Sequence, residues 1–160
     1  ILCTNDENDI CTKVCHPRMK KVINGYRDAK GVSVKGLGGN LKYFKTDFVE
    51  AKQTDLNKKK LVDKSTEMLC LKEDCFELVK KGKNFKIFTS NRDKYLGIVY
   101  DDTGIELFKK EVKELDRKIT TYVFSLDDSA REEEFEDIKK LVELKPIPAV
   151  ILNIYKRIFK

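Results

Sequence analysis

The sequence predicts an α/β protein, and three observations carry that expectation. From Phe85 onward the apolar pattern reads strand, strand, helix, strand, helix, short strand, helix, the order of a small α/β unit of about 75 residues. At the other end, Ile1-Leu2-Cys3-Thr4 reads as an apolar strand running into Asn5-Asp6-Glu7-Asn8, a polar strand end with no initiator Met before it. Such a strand needs neighbours for its backbone groups, so the fold is expected to begin upstream of Ile1. The composition supports a core: 41% of the residues are hydrophobic, with nine Phe and six Tyr, and the 38% that are charged are mixed in sign.

Taken in order, Asp9 to Tyr26 has helical periodicity through Ile10, Val14, Met19, Val22 and Ile23, with Pro17 at a first-turn position or a kink. Gly31 to Asn40 holds Gly31, Gly36, Gly38 and Gly39 and reads as a mobile loop. Leu41 to Val49 alternates well enough for a strand. Asp55 to Leu71 reads as a helix with Leu56, Leu61, Met68 and Leu69 to one side, and Lys81 to Asn84 is a polar break. Phe85 to Thr89 and Tyr95 to Tyr100 form two strands of a hairpin across Ser90-Asn91-Arg92-Asp93. Gly104 to Leu115 is an amphipathic helix, and Ile119 to Leu126 is a strand apolar enough to be central. Ser129-x-x-Glu132 is a capping box opening a helix through Phe135, Ile138 and Leu141. Val142 to Lys145 reads as a last short strand, and Pro146-Ile147-Pro148 starts a terminal helix, Ala149 to Phe159.

The net charge of +6 is unevenly placed. Residues 1–60 carry 13 Lys+Arg against 7 Asp+Glu, whereas residues 61–160 carry 20 of each. A local basic field suits a phosphate-rich partner, with a solvated Lys-rich surface as the plainer reading. Lys outnumbers Arg, so the charge points to the nucleic-acid backbone and not to base readout. The Lys58-Lys59-Lys60 run is the candidate for that contact.

Five cysteines without secretory context read as reduced thiols. Cys11-x3-Cys15-His16 and Cys70-x4-Cys75 lack the tight C-x2-C knuckle, and packing explains them as well, so no metal is expected. Gly36-x-Gly38-Gly39 leads into a strand with no Gly-Lys-Ser/Thr after it and fails as a phosphate loop. His16, the single histidine, has no nucleophile partner in its context. Asp127-Asp128 after a strand are ordinary dipole partners of a helix start. No run is long and apolar enough to span a bilayer, and no secretory leader precedes the acidic cluster. A soluble cytoplasmic protein is the expectation.

Several segments resemble one family. Ile1 to Cys11, Pro17 to Ile23 and Asn40 to Val49 look like the carboxy-terminal part of bacterial adenine-specific DNA methyltransferases, above all the modification subunits of type III restriction–modification systems. Lys64 to Glu73, Thr121 to Asp127 and Ile147 to Phe159 continue the likeness, which covers nearly the whole chain. The resemblance implies the tail of a Rossmann-like methyltransferase fold over residues 1–50, a helical connector over 51–83 and an accessory α/β domain over 84–160. In this family the catalytic Asp-Pro-Pro-Tyr motif and the glycine-rich S-adenosylmethionine loop precede the matching region. Neither occurs here: the only prolines are Pro17, Pro146 and Pro148, and there is no Phe-x-Gly-x-Gly run. The resemblance therefore implies no catalytic residue in this chain and no cofactor bound by it alone, with methyl transfer to adenine N6 belonging to the parent enzyme. The remnant of the S-adenosylmethionine site, an acidic or polar group facing the ribose, falls on Thr4, Asn5 or Asp6. A polar strand end capping the next helix is the alternative. DNA is the implied substrate, with a restriction subunit or a second copy as protein partners. The terminal helix is more apolar than one core-facing stripe requires, so Tyr155, Ile158 and Phe159 are the candidate contact.

Overall fold

The chain divides into two units, Ile1–Phe48 and Val49–Lys160. The computed structural model describes residues 6–39, 41–124 and 131–159, apart from the side chains of Asp55, Lys58, Tyr155, Lys156, Ile158 and Phe159. Among the described residues no helix is long and apolar enough to cross a membrane.

The first unit opens on a 3-10 turn, Glu7–Asp9, with Asp6, Asn8 and Asp9 in the left-handed region that Asp and Asn tolerate. A π-helical stretch, Ile10–Cys15, leads into helix α1, His16–Asn24. The single helix expected over 9–26 is thus divided, and Pro17 occupies the first turn of α1. Having no N–H, it cannot extend an α ladder back into the preceding residues, and the widened π turn delivers the His16 N–H to the Cys11 carbonyl. Gly25, at φ 88°, ends α1 and starts a short antiparallel hairpin of β1, Gly25–Arg27, and β2, Ser33–Lys35. Asp28 builds its turn: Oδ1 accepts the N–H groups of Lys30 at 2.9 Å and Val32 at 2.8 Å.

Two expectations fail here. Part of the loop expected over 31–40 is strand β2, and the strand expected over 41–49 is irregular backbone. Alternation alone does not make a strand without a neighbour to pair with. Residues 41–48 meet the helical segment through the side chain of Tyr43.

The second unit is mixed α/β. Its elements are α2 (Asp55–Glu73), β3 (Glu77–Lys81), β4 (Phe85–Thr89), β5 (Tyr95–Val99), α3 (Ile105–Leu115), β6 (Ile119–Val123), a 3-10 helix (Glu132–Ile138), β7 (Val142–Leu144) and α4 (Ala149–Phe159). The strands form one five-stranded sheet in the order β3-β4-β5-β6-β7. The β3-β4-β5 part is an antiparallel meander, while β5-β6-β7 are parallel and joined by α3 and by the 3-10 segment. Residues 51–83, expected as a connector, instead supply α2 and the edge strand β3. All of β3 is exposed, and its bulge between Leu78 and Lys80 breaks the alternation that would mark it in sequence. The capping box at Ser129, the strand end at Leu126 and Asp127-Asp128 lie outside the described residues. The segment after them is 3-10, with Phe135 and Ile138 buried.

Strand alternation sorts the core into two layers. Phe88, Leu96, Ile98 and Tyr122 face Val62, Leu69 and Cys70 of α2 and Ile151 of α4. Phe85, Ile87, Val99, Ile119 and Val123 face Phe108 and Val112 of α3 and Phe135 of the 3-10 helix. Each large side chain buried this way contributes about 1.5–3 kcal/mol before the entropy of ordering it is counted. Thr54 caps α2 by accepting the Asn57 N–H, and Asp74 in the left-handed region closes it. Asp137 accepts from Lys109 and Lys113 of α3, which hold its carboxyl down at about 2.

Candidate functional site

In the first unit, three stretches of sequence meet at one small cluster. Asp6 Oδ1 accepts the Thr12 N–H at 2.9 Å, and Asp6 Oδ2 accepts the Thr12 hydroxyl at 2.7 Å. The Thr12 hydroxyl also lies 3.2 Å from the Tyr43 hydroxyl. The Tyr43 ring stacks on His16 with centroids 4.8 Å apart, and Lys45 Nζ stands 6.0 Å from its centre. The Thr12 hydrogen bonds hold the Asp6 carboxyl below its ordinary value. Both Asp6 oxygens are thus engaged in fixing the start of the helical segment. Thr4 and Asn5, the other two candidates for the ribose contact, lie outside the described residues.

The glycine run has a local job. The N–H of Leu37 donates to the Val22 carbonyl at 2.9 Å, and that of Gly38 to Ile23 at 3.0 Å, satisfying carbonyls that α1 leaves open. A Cβ on Gly36 would fall 2.2 Å from the Ile23 carbonyl oxygen, so only glycine fits. These amides serve the helix end rather than a phosphate.

The described part of the first unit has no core. Among its described residues none is buried, and Ile10, Met19, Val22, Tyr26, Val34 and Leu37 are all exposed. That is the reverse of the second unit, where two layers of side chains are closed.

In the second unit the structure brings together three groups that the sequence did not single out. Tyr122 of β6 donates to Glu73 Oε1 at 2.5 Å, and Lys145, just after β7, reaches the two Glu73 oxygens at 3.3 and 3.2 Å. Lys72 Nζ lies 5.4 Å from the Tyr122 ring centre. Burial raises the Glu73 carboxyl, but donation from Tyr122 and Lys145 outweighs it and the net shift is downward. Burial, with Glu73 adding to it, pushes the Tyr122 phenol up. The three groups satisfy one another and tie the end of α2 to the parallel strands, which makes them a structural lock. Nearby, Tyr100 bonds Thr66 of α2 at 2.7 Å.

Of the remaining candidates, Lys59 and Lys60 are exposed on α2, and the Lys58 side chain lies outside those described. The side chains of Tyr155, Ile158 and Phe159 lie outside them as well. On the same helix Ile151 is core, whereas Val150 and Ile154 are exposed. Cys70 and Cys75 are buried, and burial raises the Cys75 thiol. Among the described residues no group of three or more His, Cys, Asp or Glu is placed to hold a metal.

The chain matches no protein-family model, no curated protein and no solved structure.

Proposed function

We propose that the chain is part of an S-adenosylmethionine-dependent DNA adenine-N6 methyltransferase of the type III modification-subunit kind, contributing the end of its methyltransferase fold and an accessory α/β domain. The observation that carries this reading is the behaviour of residues 6–48. The stretches 1–11, 17–23 and 40–49 that resemble this family are separate in sequence, yet Asp6 of the first and Tyr43 of the third are joined through Thr12 and His16, which lie between the stretches. Val22 and Ile23 of the second accept from the glycine run. The unit they form buries none of its described apolar side chains, as expected of a portion whose cover is the rest of a larger fold.

The described residues do not by themselves fit the cofactor. Asp6 is the one described member of the ribose-facing trio, and Thr12 occupies both its oxygens. No step of methyl transfer is assigned to this chain, which lacks an Asp-Pro-Pro-Tyr run to hold the target amine. Calorimetry of the 160-residue chain with S-adenosylmethionine is expected to show no binding below the millimolar range. The test is expression of the whole reading frame in a host without adenine methylation, followed by single-molecule sequencing of its DNA. N6-methyladenine within one fixed sequence is the expected result; unmodified DNA contradicts the proposal. A non-catalytic module that binds the DNA backbone is the second reading, favoured by the charge on the first unit.

A further inference from the structure

Between residues 10 and 46 the chain has nine Lys and Arg and a single acid, Asp28. The Asp28 carboxylate is turned onto the backbone of its own turn, where Oδ1 accepts two N–H groups. Lys13 is paired with Asp9 at 2.6 Å. Arg18, Lys20, Lys21, Arg27, Lys30 and Lys35 are exposed and make no ion pair among the described residues. In the second unit, by contrast, Lys80, Lys86, Lys109, Lys113, Lys118 and Lys145 each reach a carboxylate.

The hairpin register places two of these charges, Arg27 and Lys35, on one face. Gly25 pairs with Lys35, Tyr26 with Val34 and Arg27 with Ser33. Directly opposed residues share a face and neighbours along a strand alternate, so Gly25, Arg27, Ser33 and Lys35 lie on one face, with Tyr26 and Val34 on the other. The cationic face therefore carries two long basic arms, a hydroxyl and no apolar side chain. On α1, Arg18 and Lys21 are three residues apart and adjacent on the helix surface, and Lys30 stands at the hairpin turn.

We infer that α1 and the β1–β2 hairpin form a surface that binds the phosphate backbone of duplex nucleic acid, through Arg18, Lys21, Arg27, Lys30 and Lys35. Phosphate contacts need charge and hydrogen-bond donors and no apolar patch. A protein partner of comparable charge would call for an apolar centre, which the face of Arg27 and Lys35 does not have. This inference rests on the proposed function for its choice of duplex DNA as the partner. It also relocates the backbone contact, since Lys59 and Lys60 stand on α2 of the second unit beside the exposed acids Asp63 and Glu67.

The experiment is fluorescence anisotropy of the 160-residue chain with a labelled duplex of arbitrary sequence, repeated from low to moderate salt. Each phosphate neutralised contributes about 0.9 to the slope of log affinity against log salt. The variant R18Q/K21Q/R27Q/K35Q is expected to lower that slope by roughly 2–4. The variant K80Q/K113Q/R117Q/K118Q has the same net charge with its losses in the second unit, and is expected to change the slope by less than about 1. Equal losses in the two variants would mean that net charge alone matters and would overturn the surface. So would a larger loss in K59Q/K60Q, or no binding by the unmodified chain. Poly-glutamate displacing the duplex at equal charge concentration would assign the surface to an acidic protein and overturn the choice of partner. Methylated genomic DNA without this slope change would sink the inference alone; the slope change without methylation would sink only the proposed activity.

Discussion

Gly97→Ala is expected to destabilise the second unit by about 1–3 kcal/mol, and Phe108→Ala by about 3–5 kcal/mol. A Cβ on Gly97, at the centre of β5, would lie 2.4 Å from Phe108 Cζ, 2.6 Å from Phe108 Cε2 and 3.2 Å from Ile119 Cδ1. The ring cannot step aside. Phe108 is fully buried and meets Phe85 and Phe135 edge-on, with centroids 5.7 and 6.3 Å away. Glycine here is what lets α3 lie close enough to the sheet for Phe108 to reach its central strand. Removing the ring leaves a cavity among side chains that cannot collapse into it. The double variant Gly97→Ala/Phe108→Leu is expected to be more stable than the sum of its single changes implies, because the smaller side chain relieves the clash. Urea unfolding with an unchanged m-value measures all three. A Gly97→Ala protein as stable as the parent would mean that α3 does not pack where described.

The second large effect is at Glu73. Glu73→Ala is expected to cost about 2–3 kcal/mol, because it strips the carboxylate from the Tyr122 hydroxyl and the Lys145 ammonium together. The Glu73 side chain is 16% exposed and that of Lys145 33%, so solvent screens the pair only in part. Tyr122→Phe removes one donor, and about 1 kcal/mol is expected. The effect has a defined pH window. The folded Glu73 carboxyl lies below its ordinary 4.5, so its stabilisation is present above that pH and is lost as the pH falls through the folded value. The folded Tyr122 phenol lies above its ordinary 10.0, so its contribution is present below that pH and is lost as the pH rises through the higher folded value. The stability gap between the unmodified chain and Glu73→Gln is therefore expected to narrow from pH 6 to pH 3. A gap independent of pH would show that Glu73 is not ionised in the fold.

What the sequence disclosed follows physical lines. Elements that bury side chains show it in their apolar pattern. The helices α2 and α3 do so by spacing, and the strands β4, β5 and β6, covered on both faces, by short apolar runs. All five are read within two or three residues of their ends. The elements missed bury no side chain. β1 and β2 are three residues each and unburied, and β3 is an exposed edge interrupted by a bulge. The alternation of Leu41 to Val49 is misleading because no strand among the described residues pairs with that segment; none of its apolar side chains is buried, and Tyr43 is held by Thr12 and His16. The charge asymmetry of the first sixty residues is legible from composition alone. Which of those charges share a face is not, because it depends on the register of a hairpin that the sequence hides. The Glu73–Tyr122–Lys145 lock was equally invisible, since its members lie 49 and 72 residues apart.

Amide hydrogen exchange on the 160-residue chain and on the product of the whole reading frame tests most directly the claim that residues 6–48 are a portion of a larger methyltransferase fold. In the shorter chain the amides of β4, β5 and β6 are expected to be strongly protected, and those of α1, β1 and β2 to exchange orders of magnitude faster. In the full product the same α1 and hairpin amides are expected to become protected, and more so with S-adenosylmethionine present. Protection of α1 and the hairpin equal to that of β5 in the 160-residue chain, unchanged in the full product, would contradict the account.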